Sequence, residues 1–261
     1  MSERASYEPG TPCWVDLGTA DPAAAAAFYG ALFGWDVAEM EPIGETGGYA
    51  MASLRGKNVA GLGAQQNAGL PYWTTYVSVD DVEKTAALAA QNGATVVAEA
   101  MDVLDAGRLA VLIDPVGAAI SLWQPQNHIG AQMVNEPGAL AWTELTVRDV
   151  DAAKAFYEAV FGWEARSHPS APGAYYEFKL SGTFVAGMFP MNEEWPADMP
   201  SRWMPYFATE DTDATAAKAA ELGAAVRVPP TDIAPGKFAV ISDPQGALFA
   251  VIQLNPEIAH A

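Results

Sequence analysis

The chain has 261 residues, 51% of them hydrophobic and only 17% charged, a balance typical of a folded protein rather than a disordered one. Its formal net charge of −19 argues against nucleic acid and anionic membrane surfaces as partners, because both are bound through Lys/Arg patches. No apolar run reaches the roughly 18 residues that a spanning helix needs, the first ten residues lack a signal-peptide core, and one cysteine, Cys13, forms no intramolecular disulfide framework; a cytoplasmic protein is expected.

In chain order, Trp14-Val-Asp-Leu-Gly-Thr alternates as a strand, with Val15, Leu17 and Thr19 on one face and Trp14, Asp16 and Gly18 on the other. A helix follows, with Asp21 as N-cap and Pro22 at its first position. Phe28 and Leu32 lie four apart on its buried face, and Gly34 ends it. Strands are expected at 49–54 and 59–63, then a strand at 72–79, a helix over 82–92 behind the N-cap Asp81, and strands at 108–113 and 118–123 joined by an Asp-Pro-Val-Gly turn.

The order then starts again. FYGALFGW at 28–35 recurs as FYEAVFGW at 156–163, 128 residues on with six identities. Trp14-Val-Asp-Leu pairs with Trp142-Thr-Glu-Leu, Asp21 with Asp149, Trp73 and Tyr76 with Trp203 and Tyr206, and DPVGA at 114–118 with DPQGA at 243–247. A spacing this far beyond the roughly 20–50 residues of solenoid repeats means two copies of a whole domain. Residues 125–138, polar with two prolines and two glycines, read as the linker between domains at 1–124 and 139–261. Each domain is read as two strand–helix–three-strand modules.

The strand ending in x-D, the helix with A-x-x-FY-x-x-x-FGW and the late G-[RK]-x-A-x-x-x-DP-x-G-A resemble the vicinal-oxygen-chelate superfamily, which holds glyoxalase I, extradiol dioxygenases and bleomycin-resistance proteins. The likeness covers both copies and is greatest to tandem two-domain actinobacterial members labelled glyoxalase-like or hydroxylase. It implies an α+β fold of two tandem domains, each of paired βαβββ modules forming a curled mixed sheet with outer helices and a concave pocket. It leaves the reaction open, because one fold hosts many functions.

The resemblance also implies where a divalent metal would be held: the start of the first strand, its equivalent in the second module, and the last strand. Those places carry Trp14, Thr74 and Ser121 in the first copy and Trp142, Met204 and Ala250 in the second. None is a usual ligand for a catalytic divalent ion. The three histidines, His128 in the linker, His168 in a Pro/Ser-rich loop and His260 in the tail, are read as solvent-exposed and without function. No metal and no cofactor are expected. A displaced site using Asp16 or Glu144 is the metal-dependent alternative, and an auxiliary protein to an oxygenase is a third reading.

By alternation the concave faces carry Trp14, Asp16, Thr74, Tyr76, Ser121 and Trp123, and in the second copy Trp142, Glu144, Met204, Tyr206, Ala250 and Ile252. Aromatic walls with a few hydroxyls suit a planar or hydrophobic metabolite. The equivalent carboxylates Asp16 and Glu144, if inward-facing, have raised pKa values and suit a general base; they equally suit a bond to a neighbouring strand or Arg. Tyr175, Tyr176 and Glu177 are weaker candidates. Cys13 reads as a half-buried strand residue, and Arg108 and Lys237 as surface charges. The glycines at 44–48 and 61–63 match no phosphate loop. A monomer is favoured over a dimer, since duplication can replace the pairing that a single-domain relative needs.

Overall fold

The computed structural model describes residues 2–41, 48–65, 69–171 and 173–255. The first domain runs β1 (Pro12–Thr19), α1 (Pro22–Phe33), β2 (Asp36–Val37), β3 (Tyr49–Leu54), β4 (Lys57–Ala64), β5 (Tyr72–Ser78), α2 (Val82–Gln91), β6 (Thr95–Val103), β7 (Gly107–Ile113) and β8 (Ala119–Pro125). The second repeats it as β9 (Leu140–Val147), α3 (Val150–Phe161), β10 (Glu164–Ser167), β11 (Tyr176–Leu180), β12 (Thr183–Pro190), β13 (Arg202–Ala208), α4 (Thr212–Glu221), β14 (Ala225–Ile233), β15 (Gly236–Ser242) and β16 (Leu248–Leu254). Each domain is an eight-stranded mixed sheet, β2-β3-β4-β1-β5-β8-β7-β6 and its counterpart β10-β11-β12-β9-β13-β16-β15-β14. The two modules of a domain meet where β1 pairs antiparallel with β5, and β9 with β13.

The helices start and stop as the sequence dictates. Asp21, Asp81, Asp149 and Asp211 each accept a hydrogen bond from the backbone N–H three residues on. Gly34 and Gly162 end α1 and α3 in the left-handed conformation, with φ of 75° and 72°. The edge strands β6 and β14 carry half-buried and exposed positions but no fully buried one, so their apolar pattern is weak, and the sequence reading did not find them.

Alternation gives each sheet two unlike faces. Val15, Leu17, Ile120 and Leu122 point toward the helices, while Trp14, Tyr76 and Trp123 cluster on the opposite, open face. The helix faces of the two domains then pack on each other. α1 shares one core with Ala216 and Ala219 of α4 and Phe249 of β16; the other core joins α2, β7 and β8 to α3. The helices therefore lie outside each curled sheet, with their buried faces turned to the seam between the domains and their other faces exposed. Alanine at the buried positions of α2 and α4 lets these layers approach closely.

The repeated octet is part of this seam. Trp35 Nε1 donates to the carbonyl of Gly138 at 2.7 Å, and its counterpart Trp163 donates to Gly10, the counterpart of Gly138, also at 2.7 Å. Residues 126–134 do not float free. They fold onto the first domain, with Ala131 N–H bonding Cys13 O at 2.8 Å and Gln132 N–H bonding Asn58 O at 2.7 Å.

Candidate functional sites

On the open face of the first domain, the β1–β5 register sets Asp16 beside Thr74 and Trp14 beside Tyr76. The Tyr76 hydroxyl donates to Asp16 Oδ2 at 2.7 Å. Tyr49, from β3, reaches across β4 and donates to the same oxygen at 3.3 Å, while accepting from Trp14 Nε1 at 2.9 Å. That reach depends on Gly61, where any Cβ would overlap the Tyr49 hydroxyl.

The second domain builds the same cluster from equivalent residues. Tyr206 donates to Glu144 Oε1 at 2.8 Å, Tyr175 hydrogen-bonds the same carboxylate, and Trp142 Nε1 donates to the Tyr175 hydroxyl at 3.1 Å. Gly187 clears space for Tyr175 as Gly61 does for Tyr49. Each open face thus holds one carboxylate between two tyrosine hydroxyls, with a tryptophan N–H behind one of them.

Burial pushes Asp16 up to about 6 and Glu144 up to about 7, against the opposing pull of the hydroxyls that bond the charged form. The same burial, with the adjacent carboxylates, holds the Tyr49, Tyr76 and Tyr206 hydroxyls well above the usual phenol range, so they stay protonated as donors. A carboxylate poised near neutral pH among protonated hydroxyls can both accept and return a proton.

The faces differ further out. Ser121 lies beside Tyr76 and its counterpart Ala250 beside Tyr206; Trp123 is matched by Ile252, and Thr74 by Met204. The second face is lined by Met204, Ala250, Ile252 and Phe238. At the edge of the second domain, a groove of about 320 Å³ runs between residues 4–12 and the starts of β9 and β12, with Trp142 in its wall.

Several expectations need correction. His128 is not solvent-exposed: its ring stands edge-on to Trp14 at 4.5 Å and to Trp123 at 5.6 Å, and its Nε2 is buried without a hydrogen-bond partner. The linker is short and anchored, so it carries this side chain onto the open face. Tyr176, next to the site residue Tyr175, turns the other way and packs on the helix face under Lys154. Cys13 is wholly rather than half buried, and burial pushes its thiol up. His168 is half-buried near the Tyr175 ring; His260 and residues 44–47 lie outside the described residues. Arg108 and Lys237 form surface ion pairs with Glu83 and Asp213. Sequence reasoning did not single out Tyr49; the repeated Val-Ala-Gly at 59–61 and 185–187 was the available signal, because those glycines mark a close approach.

The paired curled sheets, each from two βαβββ modules, define the class. The chain belongs to the Glyoxalase/Bleomycin resistance protein/Dioxygenase superfamily, which matches residues 139–251, with a Glyoxalase-like domain matching 14–123. It is 44% identical to "Putative glyoxylase CFP32" of Mycobacterium tuberculosis, over 98% of this chain and all of that one. It is 34% identical to "Anthracycline biosynthesis protein DnrV" of Streptomyces peucetius, over 95% of each. Among solved structures it is similar to the Mn(II)-bound glyoxalase from Novosphingobium aromaticivorans (TM-score 0.66, 15% identity, 97% of this chain and 83% of that one) and to the 2,3-dioxygenase LapB from Pseudomonas sp. KL28 (TM-score 0.67, 14% identity, 97% and 96%). At such identities these two likenesses concern the fold.

Metal ions in this superfamily prompt a test of the donors. The sheet register corrects the expected rows: Tyr76 and Tyr206, not Thr74 and Met204, line up with Trp14 and Ser121 and with Trp142 and Ala250, while Thr74 and Met204 stand beside Asp16 and Glu144. Glu177 is in register with Glu144 through Gly187 and shares the second face with it, but among the described residues no three His, Cys, Asp or Glu side chains converge. This donor set does not fit a catalytic divalent ion.

Proposed function

We propose that the protein binds a planar, hydrophobic or aromatic small molecule on its open faces without a metal, and that Asp16 or Glu144 exchanges a proton with it. The observation carrying this reading is the twin Trp–Tyr–carboxylate–Tyr cluster. Burying a carboxylate costs free energy, and a fold needing only packing is served by an apolar residue. Here the same costly group occupies equivalent positions of both domains, with its pKa raised toward the working range of a general base. The aromatic walls suit a flat ligand. The relative named for anthracycline biosynthesis supports a polycyclic aromatic ligand for the related fold.

Titrating polycyclic aromatic compounds against tryptophan fluorescence tests the reading, since Trp14 and Trp142 sit beside the carboxylates. A saturable quench that persists after exhaustive chelation is expected. Absence of saturation with every compound, or quenching that returns only with added Mn²⁺, Fe²⁺, Ni²⁺ or Zn²⁺, overturns it.

A further inference from the structure

The open face of the first domain contains two hydrogen-bonding atoms with nothing to bond. Ser121 is fully buried and its Oγ has no partner, and neither has the buried Nε2 of His128. Buried polar atoms are almost always satisfied, so two such atoms on one sheet face, Ser121 beside Tyr76 and His128 against Trp14 and Trp123, mark places that an incoming group completes. Ser121 projects from β8 on the side of Tyr76, while its neighbours Ile120 and Leu122 face the helices. His128 meets Trp14 and Trp123 edge-on, and its backbone is pinned by Trp123 Nε1 donating to its carbonyl at 2.8 Å.

The second domain offers no counterpart on its described face. Ala250 replaces Ser121, Ile252 replaces Trp123, and Met204 replaces Thr74, so at these three positions the second face offers only hydrocarbon and sulfur.

We infer that the two faces take different ligands: the first domain selects a planar ring compound whose leading edge carries a hydroxyl group, held by Ser121 and His128, and the second accepts rings without one. The assignment rests on the proposed function and adds its specificity. The open side of the first face is where Asp16, Tyr49 and Thr74 are half-buried, so a ring entering there meets the carboxylate first, with the fully buried Ser121 deeper in the same face. Burial keeps His128 neutral near physiological pH, lowering its pKa to about 4, so its unpartnered ring nitrogen can accept a hydrogen bond from a hydroxyl group. Ser121 can donate to or accept from a hydroxyl oxygen. Leaving either atom unpaired in the complex penalises a plain hydrocarbon.

Equilibrium dialysis of the full chain with 2-naphthol and with naphthalene tests this. Wild-type protein is expected to bind 2-naphthol in a tight class of one site and a weaker class, and naphthalene only in the weaker one. Ser121→Ala places in the first domain what the second already has at Ala250, and His128→Phe keeps a flat ring while removing the acceptor. Each is expected to weaken the tight class about tenfold, as loss of a buried hydrogen bond does, and to leave naphthalene unchanged. If His128→Phe fails to fold, Ser121→Ala carries the test alone. An unchanged 2-naphthol isotherm in the variants overturns the inference while the proposed function stands. If wild-type protein binds neither probe, both fall.

Discussion

The Tyr29 hydroxyl, on α1 of the first domain, donates to Asp243 Oδ2 in the β15–β16 turn of the second at 3.0 Å, and Tyr157 of α3 donates to Asp114 of the first at 2.6 Å. Each tyrosine also accepts from a tryptophan on a neighbouring strand, Trp73 in one case and Trp203 in the other. Two motifs that recur in each copy thus meet across the copies. The other oxygen of Asp243 accepts from the backbone N–H groups of Gln245, Gly246 and Ala247, so one carboxylate both shapes its turn and ties the domains.

Tyr29→Phe therefore leaves Asp243 Oδ2 and Trp73 Nε1 without their partner in a dry interior. A loss of about 2–3 kcal/mol is expected, with Tyr157→Phe similar. Urea unfolding measures it; a loss under 0.5 kcal/mol in both would mean that the seam does not depend on these bonds.

The tyrosine hydroxyls at the open faces hold the carboxylates below where burial alone would put them. Tyr76→Phe is expected to raise the Asp16 pKa above about 6, and Tyr206→Phe to raise that of Glu144 above about 7. Carboxyl-¹³C NMR titration reads this directly, and a fall in either pKa contradicts the assigned cause.

Gly61→Ala and Gly187→Ala place a methyl where Tyr49 and Tyr175 lie. Either the tyrosine swings out or the strand shifts, at about 1–3 kcal/mol. Each variant is expected to lose the tyrosine bond to its carboxylate and to weaken aromatic binding at that face alone. Equal weakening at both faces would point to general misfolding.

Asp16 and Glu144 also shape stability against pH. Their folded-state values of about 6 and about 7 exceed the ordinary 3.8 and 4.5, so the folded protein holds these protons where the unfolded chain has released them. Stability linked to them is full below about pH 4 and is lost as pH rises through about 6 for Asp16 and about 7 for Glu144. The loss is on the order of 2–3 kcal/mol each, less for Asp16 because it is only partly buried. Asp16→Asn and Glu144→Gln should gain on wild type between pH 4 and 8 in denaturant midpoints. A gap independent of pH refutes the linkage.

Much of the architecture was legible because it is written in local signals. Asp N-caps, glycine helix ends and the alternation of Trp14, Asp16, Val15 and Leu17 are read within a few residues, and the octet exposed the duplication. The open-face assignments of Trp14, Tyr76 and Trp123 follow from period-two alternation and hold in the structure. Less visible was whatever depends on contacts distant in sequence. Tyr49 joins Asp16 from 33 residues away, across a strand whose glycine is informative only once its neighbour is known. His128, read as a linker residue, is drawn against Trp14 by bonds to Cys13 and Asn58 that no local pattern announces.

By itself the sequence determined two equivalent α+β domains, their helices and caps, and which side chains share a sheet face, because chirality and periodicity act over a few residues. Only the tertiary structure decided that the helix faces close on each other, that the octets bind across the seam, and that each carboxylate gains two tyrosine hydroxyls. Those depend on the register between strands and on the packing of one domain against the other, where a burial cost is either met by a partner or left open, as at Ser121 and His128.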